Sequence, residues 1–489
     1  MNYPGFIGPS NPIAATLADS ERCINWYPEP VQAQAAPAPA VLLPCPGFQP
    51  FASVTTVGAR ALLDVSPYVY AVYGNQFTRI DASGSSVVLG TVAIDNHPAT
   101  LSYIGPIDEQ ILITSGGNGY VYSAKTGAFT QVLTGIATMG AAKDVRFLAL
   151  NSATGNVRIS KAHDGFDWSD TLANFFWDLP DKIQAMVVSN NEIWLIGENT
   201  GQVWFTGSGN THQPFAPVPG ATFNFGTRAP FSVASAGDAV IWLSHAKEGA
   251  GSIVLATGYT PASITTYAVA QAIAAYDREF GTFDCEILTY KENEHTFVCV
   301  SFPAANATWV LDREVGIWHE RGHWNLDRHR FDVWSPRCHV HAFGKHLVGE
   351  RGSDRLSEMR ADFGLDMDGG PIRRVRVAPP LWATVPGRVA VSRFDILLDA
   401  GLGTATGQGQ DPDIRLRVSL DGQTWGSARR ASVGRMGQYT VRPYWIGCGS
   451  SETLWMPEIA VSDPVPYRLS AALVEGTGIT GGQGAQSAA

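Results

Sequence analysis

The sequence predicts an all-β protein: a β-propeller of six or seven blades, with an irregular N-terminal arm, one inserted helix and a C-terminal β-sheet or sandwich domain. Three observations predict this architecture: the composition, a series of evenly spaced hairpins, and a change of strand pattern after about residue 370. Only 16% of the 489 residues are charged, whereas Gly (51), Pro (30) and Trp (14) are abundant. Soluble domains typically carry roughly 25% charged residues. A weakly charged chain rich in turn residues and tryptophan is typical of packed β-structure.

Residues 1–50 are predicted to form an irregular, proline-rich arm, because proline interrupts helices and central strands. The prolines are Pro4, Pro9, Pro12, Pro28, Pro30, Pro37, Pro39, Pro44, Pro46 and Pro50. Residues 33–40 combine Ala, Gln and Pro, a composition typical of an extended linker. Two interpretations stay open: a terminus without fixed structure, or an arm that straps onto a neighbouring subunit.

Residues 51–370 repeat one theme, a pair of aromatic and β-branched strands joined by a Gly, Asn or Asp turn. The hairpins cover residues 68–80, 110–122, 145–160, 192–206, 239–255 and 295–312, with a weaker one at 339–346. They begin roughly 35 to 55 residues apart, a period typical of β-propeller blades. A pair of β-sandwiches or a β-helix is the alternative, and the even spacing favours the propeller.

Two further segments have their own patterns. Residues 263–277 contain neither Gly nor Pro and place Val269 and Ile273 at helical spacing, which predicts one helix inserted into the propeller. Residues 392–398, 413–419 and 467–474 alternate polar and apolar side chains and predict a C-terminal β domain over 371–475. Residues 476–489 form a tail rich in Gly, Gln and Ala.

The composition also excludes several classes of function. A net charge of −10 argues against a surface that grips nucleic acid along the whole chain. No basic, apolar leader opens the sequence and no run of about 18 apolar residues occurs, so neither a signal peptide nor a membrane-spanning helix is predicted. The six cysteines form no C-x-x-C pair, which predicts reduced thiols in an intracellular protein. No phosphate-binding, nucleophile-elbow or zinc-protease motif appears, so we expect neither an enzyme nor a cofactor.

One motif invites an enzymatic alternative. Ser419, Asp421, Gly422 and Trp425 resemble an Asp-box, a hairpin turn that occurs in sialidases. A looser copy is formed by Ser160, Asp164, Gly165 and Trp168. The motif is expected to stabilise a turn, since the aspartate can accept turn N–H groups and the tryptophan can pack beneath. Glycoside hydrolysis requires two facing carboxylates, and no spacing singles out such a pair; Asp284 and Glu286 are expected at a turn or rim.

Two clusters of basic or metal-ligating residues stand out. Six histidines lie close together, namely His319, His323, His329, His339, His341 and His346, with Cys338 among them. His319 and His323 would share a helix face and His339 and His341 a strand face, so either a metal or a hydrogen-bonded loop is conceivable; the loop is favoured, and no metal is predicted. Arg429, Arg430 and Arg435 lie in residues 422–451, which carry no acid, and form either a DNA- or subunit-facing patch or a solvated sheet edge. Residues 351–376 mix both charges and are expected to form a charged face.

Several motifs in order along the chain resemble one family of phage proteins. The opening matches Asn25, Tyr27, Pro28 and Glu29, then Pro46 and Gly47; the C-terminal part matches Ser419, Asp421, Gly422 and Trp425, then Arg442, Trp445, Gly447, Asp463 and Pro464. The chain thereby resembles the packaged-DNA stabilisation proteins, or tail hub (nozzle) proteins, of short-tailed bacteriophages. One departure is that residues 448–453 carry no basic side chain, which that family usually has there.

The resemblance implies a non-enzymatic β-propeller virion protein of the phage tail, assembled in the host cytoplasm. It further implies six copies in a ring below the portal and its adaptor, retention of packaged double-stranded DNA, conduction of that DNA at ejection, and docking of fibres, tailspikes or a needle. An acidic conduit would repel the DNA backbone and let it slide. A sialidase-like hydrolase and a carbohydrate-binding propeller of a tail fibre are the alternatives.

Overall fold

The computed structural model describes residues 1–12, 20–32, 38–170, 179–207, 212–245, 251–383 and 387–480. The chain divides into two compact units. The ring unit comprises residues 50–306 and 335–358, and the sandwich unit comprises residues 1–49, 307–334 and 359–489. Residues 33–37 of the predicted arm and residues 481–489 of the predicted tail lie outside the described residues.

Forty-two strands account for most of the described chain. The first group is β1 (Arg22–Ile24), β2 (Trp26–Pro30), β3 (Ala40–Pro44), β4 (Gly47–Ser53), β5 (Ala59–Val65), β6 (Tyr68–Tyr73), β7 (Gln76–Ile80), β8 (Ser86–Thr91), β9 (Thr100–Ile104), β10 (Gln110–Ser115), β11 (Asn118–Ser123), β12 (Phe129–Leu133), β13 (Met139–Lys143), β14 (Arg146–Asn151) and β15 (Asn156–Ile159). The second is β16 (Ile183–Ser189), β17 (Glu192–Gly197), β18 (Gly201–Thr206), β19 (Phe215–Phe223), β20 (Ala234–Ala236), β21 (Ala239–Ser244), β22 (Ser252–Thr257), β23 (Thr260–Ser263), β24 (Glu286–Glu292), β25 (His295–Phe302), β26 (Ala307–Asp312), β27 (Ile317–Glu320), β28 (His323–Asn325) and β29 (Arg330–Asp332). The third is β30 (Pro336–Ala342), β31 (Lys345–Glu350), β32 (Arg355–Arg360), β33 (Arg374–Val377), β34 (Leu381–Ala383), β35 (Val389–Leu398), β36 (Asp413–Ser419), β37 (Arg429–Ser432), β38 (Tyr444–Ile446), β39 (Ser450–Ser451), β40 (Leu454–Val461), β41 (Leu469–Thr477) and β42 (Ile479–Thr480).

The ring unit is a succession of small antiparallel sheets. They consist of β5–β8, β9–β12, β13–β15, β16–β19, β20–β23, the pair β24–β25, and β30–β32. The first strand of each sheet lies against the first strand of the next, from β5 through β9, β13, β16, β20 and β24 to β30, which returns to β5. Ala52 and Val54 pack with Leu347 and Leu356 of the last sheet, so the start of the unit closes onto its end. The predicted hairpins β6–β7, β10–β11, β14–β15, β17–β18 and β21–β22 are confirmed by their antiparallel registers.

The predicted helix is present but begins later than expected. Helix α1 spans Tyr267–Glu279, and the Thr266 side chain caps it by accepting the backbone N–H of Val269. Residues up to Ser263 instead complete strand β23, which pairs with β22. Val269 and Ile273 are fully buried, as their helical spacing indicated. None of the described helices has the length and apolar character needed to cross a bilayer.

The sandwich unit is built from two sheets around one core. One sheet has the order β2-β3-β41-β35-β38, and the other contains β27, β1, β33 and β40, with β36 beside β40. Side chains of both sheets meet in a single cluster that includes Trp26, Phe394, Ile459 and Val474. Strands β35, β36 and β41 occupy the segments in which polar and apolar residues alternate.

The first fifty residues differ from the irregular arm that the prolines predicted. Residues 22–53 contain four strands, and Tyr3 and Phe6 lie in the sandwich core with 4% and 2% exposure. Pro28 and Pro30 are accommodated because β2 is an edge strand, which among the described strands pairs with β3 on one side. The described part of this segment therefore belongs to the chain's own sandwich unit, which is neither of the two interpretations left open above.

Candidate functional site

The Asp-box turn is held by hydrogen bonds that occupy its polar groups. Asp421 Oδ1 accepts the backbone N–H groups of Gln423 and Thr424, at 2.8 and 2.7 Å, and Oδ2 accepts the Thr424 hydroxyl. The Ser419 hydroxyl accepts the N–H of Gly422, whose φ of +75° places it in the left-handed region. These bonds, foremost those from Thr424, hold the pKa of the Asp421 carboxyl well below its usual range. Asp421 is therefore engaged in the turn and is unsuited to act as a general acid.

Trp425 is less buried than a residue beneath the turn would be. It is half-buried and packs against the edge of an apolar cluster that includes Val375 and Met456. The guanidinium of Arg417 lies 5.5 Å from its ring centroid. In the looser copy of the motif, by contrast, Trp168 is 7% exposed and donates its indole N–H to the carbonyl of Gly165.

Asn25 shapes the connection between β1 and β2. Its φ is +60°, a conformation that asparagine tolerates better than most residues. Its side-chain amide donates to the carbonyls of Gly322 and Arg373, and its side-chain oxygen accepts the N–H of Gly322. Tyr27 follows in β2 and lies beside the His319 ring. Pro28 and Glu29 also lie within β2, so this signature positions the N-terminal strands.

The second part of that signature is Pro46 and Gly47, and the backbone of Gly47 lies close to the backbone of Phe363. A Cβ on Gly47 would come within 2.4 Å of the carbonyl oxygen of Phe363, so only glycine fits there. Pro46 leads directly into β4, which Gly47 begins.

The C-terminal signature is likewise structural. Trp445 is buried in the sandwich core and donates its indole N–H to the carbonyl of Arg429. Gly447 has a φ of +62° and closes the turn after β38, while Arg442 pairs with Asp395 at 2.8 Å. Asp463 accepts the N–H of Asp413 and the hydroxyl of Tyr467. Pro464 packs so closely on Gly364 that a side chain there would clash.

The three arginines of the candidate contact patch are exposed but not free of partners. Arg430 and Arg435 form ion pairs with Asp413 and Asp411 at 3.3 and 3.1 Å. Arg429 donates to the carbonyls of Ile446 and Gly447. The acidic partners lie outside the acid-free stretch: Asp411 precedes β36 and Asp413 is its first residue. Large apolar side chains are exposed beside them: Met436, Tyr439, Tyr444 and Ile446, at 59%, 71%, 52% and 63%.

The histidines separate into several environments, and none lies on the helix face that their spacing indicated. His319 belongs to strand β27 and is fully buried; burial, helped by Arg321, lowers its pKa well below the usual value. His323 begins strand β28, and its Nδ1 lies 3.0 Å from Asp366, which raises its pKa. His329 has a φ of +50° in the turn between β28 and β29.

The second histidine group lies on β30 and β31, with His339 and His341 on one strand face as predicted. His339 Nε2 and His346 Nδ1 are 3.0 Å apart, so one ring donates to the other. The ring of His341 packs edge-on against that of His346. Burial lowers the pKa of His339 to about 3, which keeps the His339 ring neutral near pH 7.

One cluster among the described residues of the sandwich unit could hold a cation. It consists of His323, Asp366 and Asp368, whose possible ligand atoms all lie within 4.8 Å of one another. Asp366 and Asp368 follow β32 in an Asp-Met-Asp-Gly-Gly turn. The pairing of His323 with Asp366 already accounts for the geometry by a hydrogen-bonded ion pair.

Sequence reasoning missed a network of charges in the ring unit. Glu286, at the start of β24, accepts from Arg337 at 2.7 Å and also from Arg351. Arg60 is buried, pairs with Asp95 and donates to the Ser115 hydroxyl. A cavity of about 460 Å³ opens above these groups. The Glu286 carboxylate is clamped by two guanidinium groups and is buried at the start of a strand, whereas a turn or rim position was expected.

Sequence reasoning also missed two buried arginines on β33. The mixed charges of residues 351–376 had predicted an exposed face there. Arg376 is fully buried; it donates to the carbonyls of Phe6, Pro9 and Gly5 at 2.7–2.8 Å and pairs with Glu21. Arg374 is 1% exposed, and burial lowers its pKa to about 10. Their alternation with Val375 and Val377 was a strand signal; only the tertiary structure shows that both faces are covered.

Comparison with known proteins agrees with this architecture. A family model described as bacteriophage P22 Gp10, beta-propeller, matches residues 22–364, and one described as bacteriophage P22 Gp10, beta-sandwich, matches residues 387–477. No curated protein matches the chain at a significant level.

Similar solved structures include a streptogramin B lyase (14% identity, 65% of this chain and 98% of that chain, TM-score 0.42) and the N-terminal domain of Nup159 (10% identity, 64% and 95%, TM-score 0.39). The predicted all-β fold, a propeller followed by a C-terminal sandwich, is confirmed by the two family models. Since the first model alone spans well over half of the chain, the protein belongs to the bacteriophage P22 Gp10 family of packaged-DNA stabilisation proteins.

Proposed function

We propose that the protein is a structural component of a phage tail that forms a ring, the hub or nozzle, below the portal and its adaptor. In this role six copies retain packaged DNA, conduct it at ejection, and dock fibres, tailspikes or a needle. The observation that carries the proposal is the match to both Gp10 family models in order along the chain. The seven first strands that follow one another in a closed circle favour seven blades over six.

The chemistry of the carboxylates supports a non-enzymatic role. Asp421 accepts three turn hydrogen bonds from Gln423 and Thr424, and Glu286 is held by two arginines. A glycosidase needs one carboxyl that can donate a proton and a second that can act as base or nucleophile. The bonds to Asp421 lower its pKa and favour its ionised form, which makes it a poor proton donor.

The contact patch supports subunit association in preference to DNA binding. Arg430 and Arg435 are offset by Asp413 and Asp411, which reduces the attraction for a phosphate backbone. Exposed Tyr439 and Ile446 beside them suit a protein interface, where aromatic residues and arginine are enriched. A ring needs such a surface on every subunit, because heterologous contacts repeat around the symmetry axis.

The test combines assembly with DNA retention. Native mass spectrometry of the purified chain, alone and with the portal–adaptor complex, should give a six-copy ring, and particles lacking the protein should lose packaged DNA. Tyr439→Ala with Ile446→Ala should weaken the ring, whereas Lys291→Glu, a 64% exposed site in the ring unit, should not. Monomers at micromolar concentration that do not bind the portal–adaptor complex would overturn the proposal. Release of sugar from host polysaccharide, abolished by a carboxylate substitution, would establish the hydrolase instead.

A further inference from the structure

A cavity of about 330 Å³ in the sandwich unit is lined by more cationic side chains than any other feature described above. Its lining includes Arg22, Arg330, Arg373 and Arg417, with Glu458 as the one carboxylate and Trp324 among the aromatic residues. A second cavity of about 350 Å³ shares Trp324 and Arg373 with the first, so Arg373 lies where the two adjoin.

Three of the four arginines have a carboxylate of their own. Arg22 pairs with Glu320, Arg330 with Asp332 at 3.1 Å, and Arg417 with Glu458 at 2.6 Å. The Arg417 pair is bidentate, so both Glu458 oxygens are occupied. The uncompensated positive charge of the cavity therefore resides on Arg373.

The guanidinium of Arg373 makes no hydrogen bond and no ion pair within the described residues, and its Nε is buried without a partner. It lies 4.2 Å from the ring centroid of Trp324, which is held edge-on by Phe331 at 4.9 Å. Burial, with further contributions from Arg417 and Arg415, lowers the pKa of Arg373. A partly buried guanidinium beside an aromatic ring, with no hydrogen-bond partner among the described residues, is stabilised when an anion binds it.

We propose that this cavity binds a phosphate group, with Arg373 as the principal ligand and Arg330 and Arg417 at its sides. A planar guanidinium offers two parallel N–H donors that match two phosphate oxygens. The guanidinium of Arg373 lies over the Trp324 ring. The cavity volume is sufficient for a phosphate group, and its upper limit is about the size of one nucleotide. The phosphate could be supplied free in solution or by a nucleic-acid backbone, and the site is independent of the tail role proposed above.

The inference is tested by calorimetric titration of the full-length protein with inorganic phosphate, and separately with a short single-stranded and a short double-stranded DNA, at constant ionic strength with chloride as control. Binding of phosphate in preference to chloride is expected, and Arg373→Gln should weaken it at least tenfold, which corresponds to about 1.4 kcal/mol. Binding of DNA but not of free phosphate, with the same loss, would assign the backbone as source.

Arg468→Gln is the matched control, since Arg468 is an exposed arginine of the same unit outside both cavities and should leave the titration unchanged. Arg330→Gln, at a half-exposed position, provides a second variant should Arg373→Gln alter the thermal unfolding of the protein; a several-fold loss is expected. The proposal is overturned if the wild type binds neither phosphate nor DNA, or if the Arg373 and Arg330 variants bind as tightly as Arg468→Gln.

Discussion

Replacing Phe6 with alanine tests whether the first residues belong to the sandwich core. Phe6 is 2% exposed and lies edge-on to Tyr3 and Phe394, with ring centroids 6.2 Å away in both pairs. Removing a fully buried phenylalanine costs about 3–5 kcal/mol, because the transfer free energy is lost and a cavity remains. We therefore expect Phe6→Ala to lower the free energy of unfolding of the sandwich unit by about that amount.

The assay is urea unfolding followed by circular dichroism and tryptophan fluorescence, analysed for more than one transition because the chain has two units. Phe283→Ala is the matched control: it is the same substitution at a side chain that is 64% exposed, and should change stability by less than about 0.5 kcal/mol. A strap onto a neighbouring subunit would leave the isolated chain as stable as the control. Equal unfolding midpoints for Phe6→Ala and Phe283→Ala would refute the packing argument.

Deleting residues 1–9 extends the same reasoning to Arg376. The deletion removes Tyr3 and Phe6 and also three carbonyls that accept hydrogen bonds from the fully buried Arg376 guanidinium. Stranding part of a buried charge is costly. The deletion should therefore destabilise the sandwich unit more than Phe6→Ala does, and it should impair folding before assembly.

Three further predictions concern single positions. The pKa of His339 falls to about 3 on folding, from about 6.5 in the unfolded chain, so the free energy of unfolding is undiminished by this group above pH 6.5 and declines as the pH falls towards 3. At pH 5 the free energy of unfolding should be lower than at pH 7 by about 2 kcal/mol. Urea titrations at pH 5 and 7 should show a smaller difference for His339→Gln than for the wild type. Gly47→Ala should lower the melting temperature through a clash worth about 1–3 kcal/mol, whereas Gly352→Ala, which meets no atom within 4 Å, should be nearly neutral. Trp425→Ala should cost about 2 kcal/mol in urea unfolding, less than full burial would imply, and a loss above 4 kcal/mol would contradict its half-buried position.

Local pattern was enough to predict the strands of the ring unit. Tyr68–Tyr73 and Gln76–Ile80 alternate around a Gly-Asn turn, and that information resides within a dozen residues. The helix begins four residues later than predicted, because β23 runs to Ser263 and the Thr266 side chain caps the first turn. Here the sequence pattern and the fold agree because each hairpin is stabilised by neighbours close in sequence.

The N-terminal strands could not be predicted in this way, because their partners are distant. Pro28 and Pro30 are unfavourable for a central strand but not for an edge, and whether a strand is an edge depends on the whole sheet. The sequence predicts Arg376 to be a surface charge, whereas the structure places Glu21 and the carbonyl groups around Phe6 beside it. That Arg373 lacks an ion-pair partner among the described residues likewise cannot be predicted from the sequence. Acidic residues are plentiful nearby, and only the structure shows that they pair with other groups.

The two units also differ in how far their contacts reach along the chain. Tyr3 donates its backbone N–H to Ala472, so the sandwich core joins residues almost a full chain length apart, whereas the sheets of the ring unit are nearly all local. Contacts of large sequence separation form slowly because a long loop must close first. The small sheets of the ring unit can therefore form before the sandwich, whose core is completed only when both ends of the chain are present. Completion of the sandwich core also depends on Arg376, because its buried charge gains its partners, Glu21 and the carbonyl groups around Phe6, only when the first residues of the chain have packed.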